Sequence, residues 1–137
     1  MSCILALDVG TRTIGIARAA SRSPLATPHS TLSRQGVKKD VARLASLCVA
    51  LGAEAVVVGL PYELDGAEGR SAKLARQVGV ALAEHTGLPV HYQDERYSTV
   101  EASRRLHEAG HSARDQKSII DEAAAAVILE DWLRGLG

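Results

Sequence analysis

Short apolar runs and longer amphipathic runs alternate along the chain, and this pattern predicts its first elements. Residues 3–7 are all apolar and too few for most helices, so they predict a buried strand that ends at Asp8. A short turn at residues 10–12 precedes a second apolar run at 14–18, which predicts a hairpin. A third short strand is expected near residues 29–32.

The rest of the chain alternates helical and strand patterns. Apolar residues recur at helical spacing from residue 37 to residue 51, and Gly52 closes this helix. The β-branched run 55–58 is typical of a central parallel strand buried on both faces. The other expected elements are helices at 71–85, 99–109 and 119–133, and a strand at 88–93.

Three strands in meander order followed by βαβα units predict an α/β fold. We expect a mixed five-stranded sheet, with the first three strands antiparallel and the others parallel, and with helices on both faces. That order matches the ribonuclease H fold. A chain of 137 residues has the usual size of one domain, so residues 1–137 are expected to form a single unit.

Three acidic residues fall where this fold would present them to one site. Asp8 follows the first strand, Glu95 follows the strand at 88–93, and Asp121 lies at the start of the last helix. Gathered carboxylates repel one another unless cations are bound, so the set predicts a site for Mg²⁺ or Mn²⁺. Asp94 is the adjacent alternative, but it would point to the opposite face if the strand continues, so Glu95 is preferred to Asp94.

Composition and charge narrow the classes of function. The chain is 46% hydrophobic, but no apolar run is long enough to span a bilayer, so we expect a cytoplasmic protein without a membrane partner. The net charge is zero, yet residues 1–43 hold seven basic and two acidic side chains. Either a basic face for nucleic acid or scattered solubilising charge fits this asymmetry. Cys3 and Cys48 lack motif spacing and are expected to be buried apolar residues.

Four short motifs, in order along the whole chain, carry a resemblance to a known family. The motifs are 7–11 (LDVGT) with Gly15, 57–61 (VVGLP) with Asp65 and Gly66, 94–96 (DER) with Ser98 and Thr99, and Lys117 with Asp121, Ala124 and Ala125. Together they resemble the YqgF/RuvX family of small bacterial relatives of Holliday junction resolvases. Tyr97 departs from the aliphatic residue common in that family. The resemblance implies a nuclease that helps to mature the 5′ end of 16S ribosomal RNA, which favours RNA over branched DNA and makes pre-ribosomal particles possible partners.

Phosphodiester hydrolysis suggests a role for each candidate residue. Two metal ions about 4 Å apart can activate the attacking water and stabilise the leaving oxygen. We expect Asp8 to bridge them, and Glu95 and Asp121 to complete one ion's ligand shell each. The candidate substrate-binding residues are Arg12, Arg96 and Lys117. Arg12 could also be an exposed turn residue, and Lys117 could either bind the scissile phosphate or only balance charge near the metals.

Other functions remain open at this point. A Holliday junction resolvase would act as a homodimer, whereas no dimer surface is evident in the sequence, so a monomer and a homodimer are both compatible with it. A non-catalytic nucleic-acid or ribosome-binding module would share the fold, although the acidic set argues against pure phosphate binding. The first motif also resembles the phosphate loop of actin-like and sugar-kinase ATPases, but those enzymes need two such domains around a nucleotide.

Overall fold

Five strands form one mixed sheet. The computed structural model describes residues 2–20, 23–61, 69–94 and 113–135, and for 113–120 it describes the backbone alone. The strands are β1 (Cys3–Val9), β2 (Thr13–Ala20), β3 (Thr27–Ser33), β4 (Ala53–Leu60) and β5 (Val90–Asp94). Their spatial order is β3-β2-β1-β4-β5. The helices of the described residues are α1 (Val37–Leu51), α2 (Arg70–Thr86) and α3 (Ala113–Gly135). The predicted fold class is confirmed, while the expected helix at 99–109 lies outside the described residues.

Strand directions decide which residues meet. β1 pairs antiparallel with β2, and β2 pairs antiparallel with β3. β4 runs parallel to both β1 and β5. The strands β1, β4 and β5 therefore end on one side of the sheet, which we call the carboxyl end. Leu7 lies beside Val58, and Val58 beside Tyr92, so the three strands end at similar levels.

The two faces of the sheet bury different helices. Leu5, Leu7 and Val9 of β1 belong to a core cluster that includes residues of α1 and α2. Ile4 and Ala6 belong instead to a cluster that includes Ile128 and Leu129 of α3. This period of two is the normal alternation of a strand. We call these sides the α1–α2 face and the α3 face. Each fully buried Leu or Ile side chain contributes roughly 1.5–3 kcal/mol.

Helix α1 has the predicted limits because its sequence provides both the apolar stripe and the stop. Val41, Leu44 and Cys48 are buried, and the helix ends at Gly52, whose φ of 69° lies in the left-handed region. The Gly52 backbone N–H donates to the last carbonyls of the helix. Glycine adopts this conformation without the steric cost that a Cβ atom brings, so the chain can turn directly into β4.

The expected start of the last helix was wrong. The apolar pattern predicted residues 119–133, but α3 begins at Ala113. Residues 113–118 include neither glycine nor proline, so nothing in this stretch interrupts the helix before its apolar part begins. Asp121 consequently lies inside the helix and not at its start. None of the helices in the described part of the chain is long and apolar enough to cross a membrane.

Candidate active site

Asp8 reaches the α3 face of the sheet near the carboxyl end. Ile4 and Ala6 pack on that face, so Asp8, two residues further along β1, points the same way. Its partner across the antiparallel pair is Gly15 of β2. Asp8 is partly buried, whereas Ala6 and Leu7 before it are fully buried. The strand thus holds one carboxylate at the margin of an apolar core.

Asp121 is held above the same part of the sheet by two residues of β2. The backbone of α3 passes so close to β2 that a Cβ atom on Gly15 would overlap the carbonyl group of Asp121. The hydroxyl of Thr13 donates to the Oδ2 atom of Asp121 at 2.5 Å. Thr13 and Gly15 have the same strand parity as Ala17, which packs against α3. Asp121 therefore shares both the face and the end of the sheet with Asp8.

A second acid of α3 is directed to another strand. The Oε2 atom of Glu122 accepts a hydrogen bond of 3.3 Å from Thr31 of β3. Thr31 pairs with Gly15, and Gly15 pairs with Asp8, so the three residues form one row across the sheet. Asp121 therefore contacts β2, the neighbour of β1, whereas Glu122 contacts β3, one strand further away.

Asp94 belongs to the opposite face. It is the last residue of β5, and Val90 and Tyr92 pack against the core cluster under α1 and α2. His91, with the other parity, stacks on Trp132 of α3 at 5.0 Å between ring centroids. Alternation therefore directs Asp94 to the α1–α2 face, away from Asp8. Glu95 lies outside the described residues.

The remaining predicted site residues are Arg12, Lys117 and Arg96. Arg12 is exposed in the turn between β1 and β2, at the carboxyl end of the sheet. Lys117 lies in α3 four residues before Asp121, a spacing that places two residues on one face of a helix. Arg96 lies outside the described residues. In the described part of the chain, no group of three His, Cys, Asp or Glu side chains is arranged to hold a metal ion.

Sequence reasoning missed a buried ionic cluster beside the site. Asp40 is completely buried and accepts hydrogen bonds from the side chains of Arg34 and Arg43, each at 2.7 Å, and from the backbone N–H of Gln35 at 2.9 Å. Burial alone raises the pKa of Asp40, but these hydrogen bonds outweigh it and hold the pKa of that carboxyl below its usual value. The carboxylate is therefore charged at neutral pH.

The cluster fixes the turn that follows Asp8. A second guanidinium nitrogen of Arg34 donates to the carbonyl oxygen of Gly10 at 3.0 Å. The backbone N–H of Arg34 donates to the carbonyl oxygen of Arg12 at 2.8 Å. Asp40 thus holds Arg34, and Arg34 holds the turn. The available signal was an acid in the first turn of a predicted helix, six residues after an arginine.

The sequence of this chain is similar to a known family and to named bacterial proteins. A family model described as "RuvX: Holliday junction resolvase" matches residues 2–135. A protein of Mycobacterium leprae named "Putative pre-16S rRNA nuclease" is 46% identical over 130 residues, which are 94% of this chain and 71% of that protein. A protein of the same name from Anaeromyxobacter sp. is 44% identical over 131 residues, 96% of each chain.

Two solved structures share the fold at low sequence identity. T. thermophilus RuvC in complex with a Holliday junction substrate is 18% identical, with a TM-score of 0.60 over 98% of this chain and 96% of that one. The fowlpox virus Holliday junction resolvase is 10% identical, with a TM-score of 0.61 over 98% and 99% of the two chains. The family model covers nearly the whole sequence. The chain therefore belongs to the RuvX family.

Proposed function

We propose that this protein is a metal-dependent nuclease that hydrolyses phosphodiester bonds in RNA and acts in the 5′-end maturation of 16S ribosomal RNA. The observation that carries the proposal is the position of Asp8 and Asp121 on one face of the sheet, at its carboxyl end. The names of the relatives in Mycobacterium leprae and Anaeromyxobacter sp. support the choice of substrate.

The two carboxylates fit a divalent metal site. Carboxylate oxygens are the ligands that Mg²⁺ and Mn²⁺ prefer, and Asp8 and Asp121 come from separate elements on the same face. We assign Glu95, which follows β5 in the sequence, as the third ligand. Two ions held by this set would supply charge stabilisation at both the attacking and the leaving oxygen.

The chain's own residues position these groups and the substrate. β1 holds Asp8 between two paired strands, and Thr13 orients the Asp121 carboxylate through its hydrogen bond. To Arg12, on the exposed turn next to Asp8, we assign the binding of a phosphate oxygen of the substrate. We assign the same role to Lys117 and Arg96. With aromatic residues at only 3% of the chain, recognition through backbone and shape is favoured over base stacking.

A Holliday junction resolvase is the second candidate, because the matching family model carries that description. A four-way junction offers two equivalent strands for symmetric cutting, so a resolvase would act as a homodimer. The RNA-directed names belong to relatives that are 44–46% identical, whereas the resolvase structures are 10–18% identical and bear on the fold alone. RNA is therefore the preferred substrate.

The test is cleavage of end-labelled single-stranded RNA and of a synthetic four-way DNA junction, with Mn²⁺, Mg²⁺ or EDTA. Asp8→Asn and Asp121→Asn should abolish RNA cutting. Glu122→Gln, which removes the neighbouring acid of α3, is the matched control and should retain it. Symmetric junction cutting without RNA cutting would replace the RNA proposal with the resolvase. If neither substrate is cut with either metal, the nuclease proposal fails and a binding module is the better account.

A further inference from the structure

A cleft of about 480 Å³ opens beside the turn between β1 and β2, on the other side from the acidic pair. It is lined by Thr11, Arg34, Gly36, Arg70 and Leu74. Thr11 belongs to the turn, Arg34 follows β3, and Arg70 begins α2. We call it the two-arginine cleft.

The floor of the cleft is a rigid, positively charged group. The Arg34 side chain is only 10% exposed, and its contacts with Asp40 and the carbonyl oxygen of Gly10 fix the guanidinium plane. Asp40 also pairs with Arg43, so these three side chains together carry one net positive charge. The ion pairs therefore leave this side of the turn cationic.

The wall of the cleft adds a second guanidinium that is free to bind. Arg70 is exposed, and no carboxylate in the described part of the chain forms an ion pair with it. Arg76, six residues further along α2, differs because its guanidinium lies over the ring of Tyr92, 4.9 Å from the ring centroid. Among the residues that the structure describes, no acidic side chain lines the cleft, and the hydroxyl of Thr11 adds a further donor. Paired guanidiniums with a hydroxyl match the oxygens of a phosphate group.

The turn at Gly10–Thr13 separates this cleft from the acidic pair. Asp8 and Asp121 lie on the α3 face, whereas α1 and α2 pack on the opposite face. The cleft is bordered by Gly36, just before α1, and by Arg70, the first residue of α2. A nucleic-acid strand with one phosphate at Asp8 and the next segment in the cleft would cross the exposed residues Thr11 and Arg12 towards Arg70.

We propose that the two-arginine cleft binds a backbone phosphate of the nucleic-acid strand, next to the segment that is cut, so that the substrate crosses the turn between β1 and β2. This inference rests on the proposed nuclease function and adds a path for its substrate. The described residues that line the cleft include no aromatic side chain, which favours contact with the nucleic-acid backbone over contact with a base.

The test measures the affinity of labelled single-stranded RNA as salt is raised from about 50 to about 200 mM, with Ca²⁺ present and the RNA recovered intact. Each phosphate contact on a single strand contributes about 0.7 to the slope of log K against log salt. Arg70→Gln should therefore flatten the slope by about that amount, and Arg70→Lys should restore it. Because Arg70 is exposed on a helix, Arg70→Gln is expected to fold, which circular dichroism checks.

The matched control is Arg18→Gln. Arg18 is also exposed, but it lines a separate pocket with Ser2 and Leu51, towards the opposite end of the sheet. The cleft proposal is overturned if Arg70→Gln leaves the slope of log K against log salt unchanged, or if Arg18→Gln flattens that slope by the same amount. If RNA cutting persists in that case, only the cleft proposal fails. If the wild-type protein neither binds nor cuts RNA, the proposed function fails with it.

Discussion

A Cβ atom on Gly15 would overlap the carbonyl group of Asp121 and lie 2.8 Å from the amide nitrogen of Glu122. Both obstacles are backbone atoms, which cannot rotate away as a side chain can. The absence of a side chain at Gly15 therefore lets α3 approach β2, and Asp8 is the residue paired with Gly15 across the strands. One glycine thus sets the separation between the two elements that carry the acidic pair.

Gly15→Ala should lower both stability and activity. The added methyl group must push α3 away from β2, a form of overpacking that costs typically about 1–3 kcal/mol. The same displacement moves Asp121 away from Asp8, so RNA cutting should fall further than the loss of folded protein explains. Urea unfolding and cleavage under fully folding conditions measure the two effects. Gly135→Ala is the control, because a Cβ atom there meets nothing within 4 Å.

Thr13→Val should weaken metal binding with a smaller effect on stability. Valine keeps the shape of threonine but cannot donate to the Oδ2 atom of Asp121. Loss of a hydrogen bond that orients a metal ligand typically lowers metal affinity by about 10-fold to 100-fold. Titration of Mn²⁺ against activity and against a direct binding signal measures the change. Thr13→Ser retains the hydroxyl and should stay close to wild type, so equal losses in both variants would contradict this role.

Much of the fold was predictable from the chain because strand patterns are local. A run of apolar residues that ends in Asp8 specifies a buried strand with a charge at its end, whichever elements surround it. The faces follow from alternation along each strand, which places Asp94 on the opposite face from Asp8.

The contacts that support the site could not be predicted in this way. Thr13 and Asp121 are 108 residues apart, and nothing in the local sequence of either shows that they meet. Asp40 lies in the first turn of α1, where an acidic side chain is usually exposed. Its burial depends on how α1 packs against the turn that Arg34 contacts, which the local sequence does not show. The early start of α3 was missed because the prediction followed its apolar stripe, which begins after the helix does.

Asp40→Asn should destabilise the protein in a pH-dependent way. Removal of one partner from a buried ion pair lowers the free energy of unfolding by about 3–5 kcal/mol. In Asp40→Asn the reason is that Arg34 keeps a largely buried charge without its partner. The pKa of Asp40 is lowered in the folded state. Its contribution to the free energy of unfolding is therefore complete above the unfolded pKa of about 3.9, and it is lost as the pH falls through the folded pKa. The difference between wild type and Asp40→Asn should therefore narrow in acid.

Urea unfolding at about pH 7 and about pH 3 measures that difference. Asp131→Asn is the control, since Asp131 pairs with Arg134 on the surface. Such a pair contributes about 1 kcal/mol or less to the free energy of unfolding. A difference between wild type and Asp40→Asn that stays constant across this pH range would show that the charge of Asp40 is not what stabilises the fold.

The adjacent acids Asp94 and Glu95 offer a direct test of how the metal site is composed. Asp94 ends β5 on the α1–α2 face, so its carboxylate is directed away from Asp8, and Asp94→Asn should retain RNA cutting. Glu95→Gln removes the proposed third ligand. If that ligand contributes several kcal/mol of charge stabilisation, cutting should fall by about 100-fold or more, since each 1.36 kcal/mol is tenfold in rate. Both variants change one charge at neighbouring positions, so they share any general electrostatic effect. Cleavage rates measured across a Mn²⁺ titration separate them, and a larger loss in Asp94→Asn than in Glu95→Gln would assign the third ligand to Asp94.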